Sequence, residues 1–261
     1  MTDTYWKDLW LHRELVYMFS WRDIKLRYKQ TVIGASWSII RPLVTILIFN
    51  FVFNRIAHIN NPSVAPYALM VAAGMLPWQF FSTAVAEGSN SVINNAGLIS
   101  KIYFPRLIIP ASSLFTSLID FLISVVIIVG FMVWYQHVPG WQIVLFPVSV
   151  LFMLIATMGV SVYLTALNVK YRDFRHLIPF VLQIGIYITP VAFSSKNIGE
   201  KWRLFYYLNP MVGVIDGFRW TLLGDSVYVP GTLVSLLTSL VLLWSGVKFF
   251  RKMEKTFVDE I

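Results

Sequence analysis

Six apolar stretches, each near 20 residues long and separated by short turns rich in Lys and Arg, fill most of this 261-residue chain. A bilayer's hydrocarbon core is roughly 30 Å thick and a helix rises about 1.5 Å per residue, so about 20 apolar residues cross it with every backbone group satisfied. The stretches fall at residues 34–57, 65–88, 107–135, 142–167, 177–194 and 231–250. The chain therefore reads as an all-α integral membrane protein with six transmembrane helices, and residues 1–261 as a single transmembrane domain. Only 13% of its residues are charged, against about 25% in soluble domains, so burial here means burial in lipid.

Residues 4–30 precede the first stretch and alternate faces at helical spacing, with Trp6, Leu9, Trp10, Val16, Tyr17, Ser20 and Ile24 set apart from Lys7, Asp8, Arg13, Glu14, Arg22 and Asp23. That pattern predicts an N-terminal interfacial helix running into a basic collar of Lys25, Arg27 and Lys29. Six crossings return the chain to its starting side, which then also holds loops 89–106 and 168–176 and the tail from Arg251. Those segments carry Lys101, Arg106, Lys170, Arg172, Arg175, Arg251, Lys252 and Lys255, against Arg55, Lys196, Lys201, Arg203 and Arg219 on the other side. Basic residues collect in cytoplasmic loops, so both termini are expected in the cytoplasm.

Residues 202–224 are apolar enough to tempt a seventh crossing. Asp216 and Arg219 would each cost about 2.5–3.5 kcal/mol near the bilayer centre, and Pro210, Gly213 and Gly217 weaken a straight helix. A re-entrant or interfacial helical hairpin over 195–230, on the outer face before the last span, is expected instead, with Asp216 and Arg219 paired at i, i+3.

The formal charge of +8 sits in short clusters at the ends of apolar runs, where it faces lipid headgroups, so it does not imply nucleic acid. The chain has no cysteine, and His12, His58, His137 and His176 are scattered, so no metal site is expected. It contains no G-x-x-x-x-G-K-[ST] phosphate loop, no H-E-x-x-H, no G-x-S-x-G and no convergent carboxylate pair. By itself it does not read as an enzyme. A passive pore, an ion-coupled carrier and the membrane half of a machine with a separate motor remain. Asp120, inside the third stretch, is what a proton carrier would need, but it has no His or Lys on its own span and reads better as a structural hydrogen-bonding group. Glu87, at the end of the second stretch, reads as interfacial.

The loop from Ser89 to Pro110, SNSVINNAGLISKIYFPRLIIP, is unusually patterned for a turn. Asn94 or Asn95 can cap a short helix, Leu98, Ile99 and Ile102 give it an apolar edge, and Pro105 and Pro110 bracket re-entry. The pattern admits a solvated turn or a docking knob for a cytosolic partner.

With this loop, the stretches WRDIKLRYKQTVIGASWSIIRPL from Trp21, AGMLPWQFF from Ala73, LNVKYRDFRHLIPF from Leu167, ITPVAF from Ile188, YLNPMVGVIDGFRWTLLG from Tyr207 and the tail KFFRKMEKTFVDEI occur in one order over nearly the whole chain. In these the chain resembles the membrane (permease) subunit of type-2 ABC exporters for lipid-linked polysaccharide, the O-antigen exporter family. Several motifs are shared with permeases for capsule and teichoic acid polymers. The resemblance implies a homodimer joined to two copies of a separate ATP-binding subunit, with ATP and Mg on that partner and no cofactor on this chain. It further implies ATPase docking through Asn94, Asn95, Gly97, Leu98, Ile99 and Lys101, with a smaller contact at Tyr171, Arg172, Asp173 and Arg175. The cargo implied is an undecaprenyl-pyrophosphate-linked polysaccharide crossing the bacterial cytoplasmic membrane. Its head is expected near the basic collar, attracted by Arg27, Lys29 and Arg41. Sugars stack their C–H faces on aromatic rings, so Phe49, Phe53, Tyr187, Phe193, Tyr206, Tyr207 and Trp220 are expected to line the pore. A drug or amphiphile exporter of the same architecture and a proton-coupled carrier are the alternatives.

Overall fold

The computed structural model describes residues 2–29, 36–56, 63, 65–254 and 256–257, with the side chains of 2–4 and 54–56 left aside. The expected first span thus begins and ends in residues outside the described set.

The described residues are helical with no strands. The N-terminal segment is two helices, α1 (Thr2–Leu11) and α2 (Arg13–Lys29), where one was expected; they part at His12, whose Nδ1 bonds to the Asp8 carbonyl at 2.7 Å. Then come α3 (Ser36–Phe49), prolonged by wider turns over Asn50–Ile56, α4 (Tyr67–Asn94), the short α5 (Ala96–Ile99) and α6 (Ile108–Trp134). The second half holds α7 (Phe146–Lys170), α8 (Phe174–Ile188), α9 (Glu200–Tyr206), α10 (Pro210–Leu223) and α11 (Val229–Met253).

Five segments are long and apolar enough to cross a membrane: Ser36–Phe53, Tyr67–Asn94, Ile108–Trp134, Trp141–Lys170 and Val229–Met253. The expected span 177–194 appears as α8, which is apolar but only 15 residues long. Pro190 sets its end, because the residue before a proline is pushed out of helical geometry; Thr189 is extended at φ −86°, ψ 147°. The region expected as a hairpin is a helix–turn–helix, α9 and α10, with no continuous span through it. Its second helix is well marked locally. Asn209 accepts a hydrogen bond from the Met211 amide at 3.1 Å, Pro210 takes the first turn, and Gly224 closes the helix at φ 75°, a left-handed conformation suited to glycine.

Helix α4 is the hub, packed against α3, α6, α7, α8 and α10. Its Leu69, Val71, Ala72, Ala73 and Val85 are sealed in the main core with Ile128 of α6, Met153 and Ala156 of α7 and Ile215 of α10. Helices α7 and α11 approach so closely that a side-chain carbon on Gly159 would lie 2.7 Å from the Leu243 amide nitrogen, and one on Gly246 would lie 2.9 Å from the Gly159 carbonyl. Small residues permit such backbone contact where no water drives helices together.

One end of the bundle, here termed proximal, collects both terminal segments. A second apolar cluster there joins Val92, Phe104, Leu107, Val169, Phe250 and Phe257, with Leu9, Val16 and Phe19 packed on it. Glu254 ties the tail to the start of α6, accepting from the Arg106 amide at 2.8 Å. Helix α7 ends at this proximal end, whereas residues 189–194, beyond α8, lie distally, where the Tyr67 hydroxyl donates to the Ala192 carbonyl at 2.6 Å. The short α8 therefore carries the chain from one end of the bundle to the other.

Candidate functional site

Of the 28 residues of α4, only Gln79, Ser82, Thr83, Ala86, Glu87, Asn90, Ile93 and Asn94 are not buried. They recur every three or four positions, so they form one stripe down one face of the helix. All but Ala86 and Ile93 are polar. A helix covered by its neighbours on its other sides thus opens along a single, mostly polar line.

Three cavities follow that line. One of about 310 Å³ lies among α2, α3, α4 and α6, walled by Arg27, Trp37, Ser38, Arg41, Gln79, Thr83, Glu87 and Asp120. A second, about 480 Å³, lies between α4 and α8, with Trp78, Ser82, Thr83, Glu87, Gln183 and Tyr187. The third, about 480 Å³, opens proximally beside Arg22, Asp23, Asn94, Asn95 and Ser113. Glu87 borders all three.

Glu87 belongs to a charged cluster that the linear sequence scatters over four helices. Arg27 donates to both Glu87 and Asp120, and the Tyr28 hydroxyl donates to Asp120. Ser38 donates to Asp120 at 3.2 Å, and Ser117 to Glu87 at 3.3 Å. Asp120 thus takes the structural role expected of it, but its partners come from α2 and α3. Glu87, read as interfacial, sits inside the cluster. Arg27, expected among the groups attracting a lipid head, has its guanidinium held by two carboxylates. Arg41 borders the same cavity, exposed, with its guanidinium 5.8 Å from the Trp37 ring; Lys29 is exposed and is not part of the wall.

Helix α2 reaches this cluster by lying along α6. Ser20 donates to the Ser112 carbonyl at 3.2 Å and Arg27 meets Asp120, an offset of seven residues on one helix and eight on the other. The two helices therefore run parallel for ~10–12 Å.

At the proximal end, Asn94, Gly97 and Lys101 are exposed, Asn95 and Leu98 half-buried and Ile99 buried in the proximal cluster. Asn95 does not cap α5 with its side chain, as its position suggests. Its amide donates to the Ser91 carbonyl at 2.8 Å and its oxygen accepts from Arg22 at 3.0 Å, so it ties the loop to α2. Tyr171, Arg172, Asp173 and Arg175 are all exposed at the α7–α8 turn. Asn168, just before them, donates to the Ser89 carbonyl at 2.9 Å and to Asn90 at 3.1 Å, which sets both candidate docking segments on the same end. Ile102 and Tyr103, 58% and 87% exposed, extend that surface; sequence reasoning gave Ile102 only an edge and left Tyr103 unnamed.

The candidate pore aromatics do not converge. Phe49 and Phe53 meet edge to face at 5.5 Å on one face of the first span, and Tyr187 is exposed in the α4–α8 cavity. Phe193 is half-buried, Tyr206 donates to the Ile188 carbonyl at 2.6 Å, and Trp220 packs edge-on against Trp141 at 6.2 Å. Tyr207 is fully buried and donates to Asp216; burial first, then that carboxylate, pushes its phenol upward, so it stays a donor at neutral pH. A core hydrogen-bonding role replaces a pore role for Tyr207. The expected Asp216–Arg219 ion pair is absent too. Arg219 donates instead to the carbonyls of Val191 and Phe193, each at 3.0 Å, and of Met70 at 3.4 Å, while Ser195 donates to Asp216 at 2.7 Å. The break at Pro190 frees carbonyls that a helix would have consumed, and the guanidinium fork satisfies them.

A family profile described as "ABC-2 type transporter" matches residues 14–223. The chain belongs to the ABC-2 type transporter family. It is similar along almost its whole length to proteins described as "O-antigen export system permease protein RfbA". The protein from Myxococcus xanthus is 29% identical over 258 residues, 98% of each chain. One from Klebsiella pneumoniae is 28% identical over 250 residues, 94% of each. A more distant similarity, 22% over 249 residues and 91% of this chain and 92% of the other, is to "Polysialic acid transport protein KpsM" of Escherichia coli. This ABC-2 chain is a multi-pass membrane permease, and the resemblance read from its motifs is borne out.

Proposed function

We propose that this permease is the membrane subunit of an ATP-driven exporter that moves undecaprenyl-pyrophosphate-linked polysaccharide of the O-antigen type across the bacterial cytoplasmic membrane. Two copies enclose the path, and two separate ATP-binding subunits, which hold ATP and Mg, drive it. The observation that carries this reading is the polar stripe of α4. A membrane-embedded helix whose one open line is polar at six of eight positions is best explained by facing a conduit, because polar groups in hydrocarbon are costly. No fixed ring of carboxylates or carbonyls of the kind cation filters use lies along that line among the described residues.

Six crossings complete the design. Helix α8 spans ~22 Å and the extended residues after it cover the remainder, while α9 and α10 lie at the outer face. Both termini are cytoplasmic, which puts Asn94–Lys101 and Tyr171–Arg175 where a cytosolic ATPase binds. Lys29 and Arg41 stay available to attract the lipid pyrophosphate head. The higher identity to the O-antigen relatives favours that cargo; the similarity to polysialic acid transport proteins keeps a capsule polymer as the second reading.

The test is co-expression with the cognate ATP-binding subunit and reconstitution with lipid-linked glycan. Gln79→Leu with Thr83→Val, which makes the middle of the stripe apolar, is expected to cut glycan export by about tenfold. The complex should still assemble and hydrolyse ATP. Unimpaired export by this variant would remove the conduit assignment.

A further inference from the structure

We infer that the cavity beside Arg27, Glu87 and Asp120 is a subsite for an uncharged sugar ring of the exported polymer, and that Glu87 makes the path unfavourable to polyanionic glycans. The inference rests on the reading of the chain as a glycan exporter and adds a binding site and a charge selectivity to it.

The first argument is the set of unused hydrogen-bonding positions. Arg27 and Ser117 both donate to Oε2 of Glu87, and no hydrogen bond among the described residues reaches its Oε1. Gln79 makes a single long contact, 3.3 Å from its amide nitrogen to Thr83 Oγ1, and both side chains are only half-buried. A carboxylate oxygen, an amide and a hydroxyl one helical turn apart along the stripe offer acceptors and donors to the adjacent hydroxyls of a pyranose ring. The indole of Trp37, 45% exposed on the opposite wall, offers the apolar face on which ring C–H groups pack.

The second argument is charge. Ionised Glu87 and Asp120 share one embedded cation, Arg27, so these three groups together carry a net negative charge; Asp120 lines the first cavity, and Glu87, which borders all three, is the one charged group lining the second. Of the other charged groups on these walls, Arg41 lines the first cavity with its guanidinium 5.8 Å from the Trp37 ring, and Arg22 and Asp23 pair with each other at 2.8 Å. A diphosphate or a string of carboxylates meets local repulsion at Glu87, which stands on the open line of α4 and borders all three cavities. The two carboxylates already occupy Arg27, so the one guanidinium within the cluster is not available to an anion.

The chain has no cysteine, so Thr83→Cys introduces a single thiol on the wall shared by the first two cavities. The full chain with its ATP-binding partner, in membrane vesicles, is treated with methanethiosulfonate reagents carrying a trimethylammonium or a sulfonate head. Relative to their rates on free cysteine, the cationic reagent is expected to react about tenfold faster than the anionic one. Glu87→Gln in the same background should bring the ratio close to one. Loading with lipid-linked glycan extracted from the source cells should slow both reagents, and bare polyprenyl diphosphate should not. Equal or anion-favouring rates overturn the selectivity. Equal protection by bare polyprenyl diphosphate overturns the sugar subsite in favour of a headgroup site, and no protection by the glycan overturns the subsite while leaving the exporter reading in place. A thiol that neither reagent reaches, in a complex that still hydrolyses ATP, sinks the conduit reading itself. If Thr83→Cys does not assemble, Gln79→Cys, on the wall of the same first cavity, carries the same measurements.

Discussion

Arg219 is 3% exposed and holds the carbonyls of Val191 and Phe193, which the break at Pro190 leaves outside any helix, together with the Met70 carbonyl of α4. Replacing it with Met keeps the volume and removes the donors, so buried carbonyls lose their partners. The expected cost is about 2–3 kcal/mol, read as a lower thermal midpoint in detergent, with Arg219→Lys recovering only part of it because an ammonium lacks the planar fork. A midpoint equal to the unmodified protein's would refute the role. Sequence reasoning saw that Asp216 and Arg219 were too costly for lipid, and that was sound. It paired them by spacing alone, yet Ser195, Tyr207 and three carbonyls offered better geometry. The same limit applied at Arg27: its neighbours in sequence are basic, but its partners in space, Glu87 and Asp120, lie 60 and 93 residues away.

Among the elements, the long apolar helices were legible because lipid imposes their length: α6, α7 and α11 lie close to their expected bounds, whereas α4 runs on to Asn94, six residues into the expected loop. Helix α8 was drawn too long because apolar residues continue past Pro190 while helical geometry does not. What holds α7 against α11 is the absence of side chains at Gly159 and Gly246. Gly159→Ala puts a methyl against the backbone of Leu243, which cannot retreat without moving the helix, and is expected to destabilise by about 1–3 kcal/mol. Gly97→Ala in α5 meets nothing within 4 Å and should leave stability unchanged or slightly raised. Equal midpoints for the two variants would show that the close approach does not matter.

For the whole molecule, the arrangement of the ends decides topology. The turns after α4 and α7 and the end of α11 lie together proximally, and residues 189–195 lie distally. In the cysteine-free chain, Lys101→Cys and Lys252→Cys are expected to react with a membrane-impermeant maleimide only in inverted vesicles, and Asn197→Cys only in spheroplasts. Labelling of all three from one side would mean that α8 does not cross, and the six-span topology would fall. The aromatic path expected from the sequence dispersed for a related reason: Tyr207 and Trp220 are consumed by packing against Asp216 and Trp141, and aromatic content cannot reveal which ring faces a cavity.

The sequence by itself determined that the chain is a helical membrane permease of this family, because hydrophobic length, basic loops and ordered motifs are local properties that survive without coordinates. Only the tertiary structure decided which face of α4 stays open, which carboxylates hold Arg27 and which aromatics are buried. Those facts depend on what neighbouring helices cover, and coverage is a property of packing between segments far apart in the chain.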